Sequence, residues 1–138
     1  MSGKRSIGIG DEVTLRVRVS EKDVHYAGGL VNGAWVLGFF GDLATEIAAR
    51  HDNDEGLLAG YSEVKLTAPI HGGDFIEAVG KLVKVGNTSR IIELEARKVI
   101  SNANNPEEPS AVVVFDEPVM VAKATMIQVV PKDCQRCG

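Results

Sequence analysis

Apolar and polar residues alternate through Val13, Leu15, Val17 and Val19, a period of two that predicts a half-buried strand near the N-terminus. The pattern then changes. Residues 34–50 are rich in helix formers, and Val36, Leu37, Phe39, Phe40, Leu43, Ala44, Ile47 and Ala48 spread around nearly the whole circumference of a helix, so this element is expected to be buried. Trp35, Gly38, Asp42, Glu46 and Ala49 recur at spacings of three and four, which puts both carboxyls on one face. Period two returns at 61–68 through Val64 and Leu66, closed by Pro69, and again at 75–85 and 90–100. Gly86-Asn87-Thr88-Ser89 between the last two has the composition of a tight hairpin connection. A final strand is predicted over 119–130. Ahead of it, residues 101–110 (SNANNPEEPS) read as a polar excursion, and 111–115 as a short apolar piece that pattern alone does not assign.

The predicted order is therefore strand, helix and four strands, and an antiparallel sheet beside one apolar helix hides it by wrapping it. A chain of 138 residues, 44% hydrophobic, has material for one core, so a single domain is expected over 1–138 with its core at about 11–130. Fifteen basic against 19 acidic residues give a net charge of -4 and no basic field for nucleic acid or an anionic membrane. MSGKRSIGIG lacks an apolar stretch of signal-peptide length, and no apolar run approaches the roughly 20 residues that span a bilayer. A cytoplasmic protein is expected. Cys134 and Cys137 supply two soft ligands where zinc usually takes four. The string DNDEG at 52–56 fails the calcium-loop template, because Leu57 stands where glycine is needed. No metal is expected, and 52–56 reads as an exposed turn.

Candidate chemistry concentrates in residues 23–46, DVHYAGGLVNGAWVLGFFGDLATE. Asp42, beside Leu43 and a turn beyond Phe39, is expected to lose solvation, which suits a carboxylate to proton transfer near neutral pH. The other reading puts Asp42 and Glu46 on a solvent seam or pairs them with Arg50 and Lys65. His25 is a candidate proton shuttle and Tyr26 a hydrogen-bond donor. In extended backbone Asp23 and His25 would share one side. His51 and His71 attract no role.

The element order and the string GGDFIEAVGKLVKVGNTSRIIELEARKVI resemble the hotdog fold of acyl-CoA thioesterases and dehydratases, an α+β fold whose antiparallel sheet wraps one long central helix. The resemblance covers about residues 11–130 and includes the GD…G.TS pattern of one strand pair. More narrowly, RVRVSEKDVHYAGGLVNGAWVLGFFGDLATE with GDFIEAVGKLVKVGNTSR is similar to the coenzyme-A-linked ammonia lyases within that fold. Many hotdog thioesterases carry Gly-His-x-Asn-Asn before the helix; here Gly29-Leu30-Val31-Asn32-Gly33 keeps one asparagine and loses the histidine.

The resemblance implies reversible elimination of ammonia from a 3-aminoacyl thioester, 3-aminobutyryl-CoA giving crotonyl-CoA, in lysine fermentation. Coenzyme A is part of the substrate and no separate cofactor is implied. Polarising the thioester carbonyl falls to backbone N–H groups near the helix start, where Gly28, Gly29 and Gly33 allow close approach or simply turn the chain. Asp42 or Glu46 is the expected base, with Asp23 as a candidate to hold the ammonium and His25 and Tyr26 in support. Lys84, Ser89 and Arg90, with Asn87 and Thr88, are the candidates for the coenzyme A phosphates. A homo-oligomer, at least a dimer, with sites between subunits is implied. A hotdog thioesterase, an enoyl-CoA hydratase and a non-catalytic acyl-CoA-binding protein are the alternatives.

Overall fold

The protein was analysed as a computed structural model, which describes residues 4–137. Strand β1 (Glu12–Arg18) is followed by two short strands, β2 (Val24–Tyr26) and β3 (Leu30–Val31), and by the helix α1 (Gly33–Asp52). Four long strands complete the chain: β4 (Leu57–Leu66), β5 (Phe75–Val85), β6 (Ser89–Asn102) and β7 (Val112–Val129). They form a five-stranded sheet in the order β1-β5-β6-β7-β4, antiparallel at every junction. One helix on one face of this sheet is the hotdog architecture.

Alternation explains which side of each strand meets the helix. Ile76, Ala78 and Leu82 of β5, Ile92, Leu94 and Ala96 of β6, and Ala122, Ala124 and Met126 of β7 are all buried. Several of these are small, and Gly80 is smaller still. A Cβ built there would stand 3.0 Å from Ile47 and 3.1 Å from Leu43, so the missing side chain is what lets α1 lie down on β5. Phe40, Leu43 and Ile47 fill the hollow completely, each contributing about 1.5–3 kcal/mol of burial.

The helix is not hidden all round, as its composition suggested. Val36, Phe40, Leu43, Ala44, Ile47, Ala48 and His51 form one buried stripe, while Ala34, Gly38, Asp42, Thr45 and Ala49 on the other side are exposed. A single sheet covers one face only. Two further expectations change. Residues 112–115 open β7, where Val112, Val113 and Val114 pair with Asn102, Ser101 and Ile100. They make an arm whose three valines are exposed. Asp52, read as part of an exposed turn, is the last helical residue and is fully buried. The turn begins at Asn53, whose φ of 54° gives a left-handed cap with its N–H on the Ala49 carbonyl.

Candidate functional site

The chain reaches the helix through a tight turn. Residues 27–29 form a single 3-10 turn in which Gly28 and Gly29 take φ of 76° and 77°, a region where a side chain is strained. The turn is tied down from outside: the Gly72 N–H donates to the Gly29 carbonyl at 3.0 Å and the Val31 N–H to the Ile70 carbonyl at 2.9 Å. Asn32 then caps α1, its side-chain oxygen accepting from the Trp35 N–H at 3.2 Å. Gly28 and Gly29 are thus separated from the helix start by β3, and Gly33 alone of the three glycines lies in its first turn.

Beside Gly33 opens a cleft of about 410 Å³ between the start of α1 and the end of β4. Its wall is mainly apolar, with Val36, Leu66, Ile70 and Val121, and Tyr26 and Asn32 bring polar groups to it. Gly33 lets Leu66 lie against the helix start: a Cβ would meet Leu66 Cδ1 at 2.4 Å and push that half-exposed side chain aside. Tyr26 is 54% exposed and stacks edge-on with the exposed His25, ring centroids 4.6 Å apart. Apolar walls with a few polar groups are the lining that a small, mainly apolar ligand requires.

The acids lie elsewhere in the protomer. Asp42 is exposed on the outer face of α1, which corrects the expectation of desolvation; nine residues of helix put it roughly 14 Å along the axis from Gly33. Glu46 is half-buried and accepts from Arg50 Nε at 3.0 Å, the (i, i+4) pairing weighed in the sequence. Asp23 closes a 3-10 turn (Glu21–Asp23) before β2, so the extended alternation with His25 does not hold there. His25, Tyr26 and the glycines come together at the cleft end of the molecule, whereas Asp42 and Glu46 do not join them within one chain.

On the coenzyme side, Arg90 is the clearest correction. It is 2% exposed, and its Nε and Nη2 donate to the two oxygens of Asp52, both at 2.9 Å. Its Nη1 donates to the Gly86 and Ser89 carbonyls. The guanidinium holds the end of α1 to the β5–β6 turn and has no face left for a phosphate. Ser89 opens β6 opposite Val129, and Lys84 is exposed on β5.

Sequence reasoning missed Asp74. Buried to 1% exposure, it accepts from the His71 N–H at 2.8 Å, Lys98 Nζ at 3.1 Å and Ser101 Oγ at 2.6 Å. This pins to β6 the same loop that holds the Gly29 turn. The signal was present in Gly72-Gly73-Asp74, an acid after two glycines at the mouth of an alternating strand. Asn32, the cap, was equally visible and given no part.

Among the described residues, no three His, Cys, Asp or Glu side chains gather as a metal site, and no helix is long and apolar enough to cross a membrane. Cys134 and Cys137 are free thiols, and Cys137 Sγ accepts from Asn53 Nδ2 at 2.9 Å, which docks the tail beside the end of α1.

Residues 28–100 match the family model described as the thioesterase superfamily. The chain is 47% identical over 122 residues to 3-aminobutyryl-CoA ammonia lyase of Acetoanaerobium sticklandii, an alignment covering 88% of this chain and 96% of the relative. It superposes on β-alanyl-CoA:ammonia lyase from Clostridium propionicum with a TM-score of 0.89 at 36% identity, over 94% of this chain and 92% of the other. A hexameric hotdog-fold thioesterase of Campylobacter jejuni shares the fold, with a TM-score of 0.69 at 21% identity over 88% and 85% of the two chains.

Proposed function

We propose that this chain, which belongs to the thioesterase superfamily, catalyses the reversible elimination of ammonia from a 3-aminoacyl-CoA, with 3-aminobutyryl-CoA giving crotonyl-CoA as the leading substrate pair. The observation that carries the reading is the apolar cleft at Gly33, bounded by Tyr26 and Asn32, within a chain similar along nearly its whole length to two proteins named as CoA ammonia lyases. The thioester acidifies its own C2 proton, so the reading calls on no cofactor beyond the coenzyme A of the substrate.

Elimination needs three things of the protein. A donor must take charge on the thioester oxygen; backbone N–H groups of the Gly28–Gly29 turn and of the first turn of α1 are assigned this task. A base must remove the C2 proton, whose bonding pair becomes the C2=C3 π bond. The C3–N pair then leaves with nitrogen, and ammonia departs with the base's proton as ammonium. A carboxylate serves as base and also attracts the ammonium group.

Among the described residues, no carboxylate lines the cleft of a single chain. Asp42 stands exposed on α1, on a face that the sheet leaves uncovered. The reading therefore places Asp42 of a partner subunit at the cleft, Glu46 beside it, and His25, Tyr26 and Asp23 at the entrance. A homo-oligomer follows, supported by the bare outer face of α1 and by the exposed leucines of the edge strand β4, Leu57, Leu58 and Leu66. Lys84 and Ser89 remain for the coenzyme A phosphates. A role in lysine fermentation and a cytoplasmic location belong to the same proposal.

Purified protein incubated with crotonyl-CoA and ammonium should bleach the conjugated thioester absorbance and yield aminobutyryl-CoA by mass. Thiol release without ammonium, and no amine adduct with it, would replace this reading by a thioesterase.

A further inference from the structure

The Gly28–Gly29 turn has little of its own to hold it in place. Ala27, Gly28 and Gly29 carry at most a methyl group, both glycines stand at positive φ, and Tyr26 supplies no side-chain cap. Glycine loses more conformational freedom on ordering than any other residue, so the geometry has to be imposed from outside. Residues 70–74 impose it. The Gly72 N–H donates to the Gly29 carbonyl at 3.0 Å, the Val31 N–H donates to the Ile70 carbonyl at 2.9 Å, and His71 forms a bridge to Leu30. The backbone donors before α1 are therefore placed only as well as the 71–74 turn beside them.

That neighbouring turn converges on one carboxylate. Asp74 Oδ2 accepts from the His71 N–H at 2.8 Å and from Lys98 Nζ at 3.1 Å, and Oδ1 accepts from Ser101 Oγ at 2.6 Å. The Asp74 backbone is fixed as well, its N–H donating to the His71 carbonyl and its carbonyl accepting from the Val19 N–H. The carboxyl is 1% exposed and the Lys98 side chain 10%. Stability alone does not call for a buried ion pair here, because apolar side chains of similar volume are often as stabilising or more so. A carboxylate adds direction: three charge-assisted bonds, one across its own turn and two to β6, fix where that turn sits.

We propose that Asp74 is a positioning residue for the elimination: through the 71–74 turn, its carboxylate sets the Gly28–Gly29 backbone donors against the thioester oxygen. The inference rests on the ammonia-lyase reading, which assigns those donors their task. Asp74 is not among the residues lining the cleft, so it acts through the turn and not on the substrate. Negative charge grows on the thioester oxygen as the C2 proton leaves. Misplaced donors therefore slow the chemical step more than they weaken binding of the ground state.

The test joins steady-state kinetics on crotonyl-CoA at saturating ammonium to amide hydrogen exchange of the full chain. Asp74→Leu/Lys98→Met removes the directed bonds without stranding a buried charge, and should keep a Tm close to that of the parent. Its kcat should fall by about 10- to 100-fold while KM for crotonyl-CoA stays within about threefold. Exchange of the amides at 28–31 should quicken by roughly tenfold or more. Asp74→Asn/Lys98→Met keeps an oxygen for the His71 N–H and should recover most of the lost kcat. Ser101→Ala, which removes a single bond, is the milder variant should the first double fail to fold; its kcat should fall by roughly two- to tenfold. A parental kcat in the Leu/Met protein and in Ser101→Ala, equal losses with leucine and asparagine at 74, or unchanged exchange at 28–31 would overturn the proposal. Exchange needs no turnover: a parent that adds no ammonium overturns the lyase reading, and the exchange rates still decide whether Asp74 holds the glycine turn.

Discussion

Removing Arg90 tests whether that side chain serves the substrate or the fold. Its guanidinium and the Asp52 carboxylate are both essentially inaccessible and meet in a two-pronged contact at 2.9 Å. Arg90→Met leaves Asp52 as a buried charge stripped of its partner, which typically costs about 3–5 kcal/mol. An unfolding entropy of about 2.1 cal/mol/K per residue gives roughly 0.3 kcal/mol/K for 138 residues, so Tm should fall by about 10–17 °C. Calorimetric or circular-dichroism melts at one fixed protein concentration read this directly. The double variant Arg90→Met/Asp52→Leu should recover much of the loss, because no isolated charge remains buried. A residue that grips coenzyme A predicts the reverse pattern: a raised KM for the acyl-CoA at nearly parental Tm. A fall of less than about 3 °C in Arg90→Met, or a double variant no better than the single, would refute the structural role assigned here.

Gly80→Val should destabilise by about 1–3 kcal/mol or more in urea titrations, since even its Cβ would press on Ile47 and Leu43. Tyr61→Phe removes a hydrogen bond from the Tyr61 hydroxyl to the Leu37 carbonyl, 3.0 Å long, and should cost about 0.5–1.5 kcal/mol. Asp54 is held below its ordinary value of 3.8, chiefly by the Gly56 N–H and then by Arg136. A depressed carboxyl stabilises the fold above its unfolded value, and that contribution is lost as pH falls through the folded value. Arg136→Met should therefore lower stability by a constant amount at neutral pH and flatten its dependence on pH below about 4, so that variant and parent converge at acid pH, as measured by melts across pH.

The helix and the five strands of the main sheet were legible because each carries its own period, and a period is a local property. What escaped depended on partners. The valines at 112–114 lie ahead of Pro118, which has no N–H for a ladder, and β7 reads as two pieces until β6 is set beside it. Register between the two strands shifts there: Lys98 faces Val119, while Ile100 faces Val114. Asp52 and Arg90 are 38 residues apart, so their pairing leaves no local trace, and each alone resembles a solvated charge. The same holds for Asp74, whose partners Lys98 and Ser101 arrive from β6. At the site, the glycine turn, Tyr26 and Gly33 could be located from the string before the helix. The facing of Asp42 could not, because apolar residues flanking the buried stripe made the whole helix look submerged.

Where the missing carboxylate comes from can be settled by mixing two inactive proteins. If each site joins the cleft of one chain to Asp42 of another, Asp42→Asn should abolish turnover with little loss of Tm, the residue being exposed. Gly33→Leu should abolish it differently, by driving a side chain into Leu66 and filling the cleft. In a mixed pair, the intact cleft of the Asp42→Asn chain meets the intact Asp42 of the Gly33→Leu chain, and the opposite site carries both lesions. Random reassortment makes half of the dimers mixed, each with one working site of two, so activity should return to about a quarter of the parental value. Co-expression with two distinct affinity tags, followed by the crotonyl-CoA and ammonium assay on the doubly selected material, isolates the mixed species, where the expectation rises to about half. A site complete within one chain leaves the mixture as inactive as its parents. That outcome would require the base to be found among residues that already face the cleft.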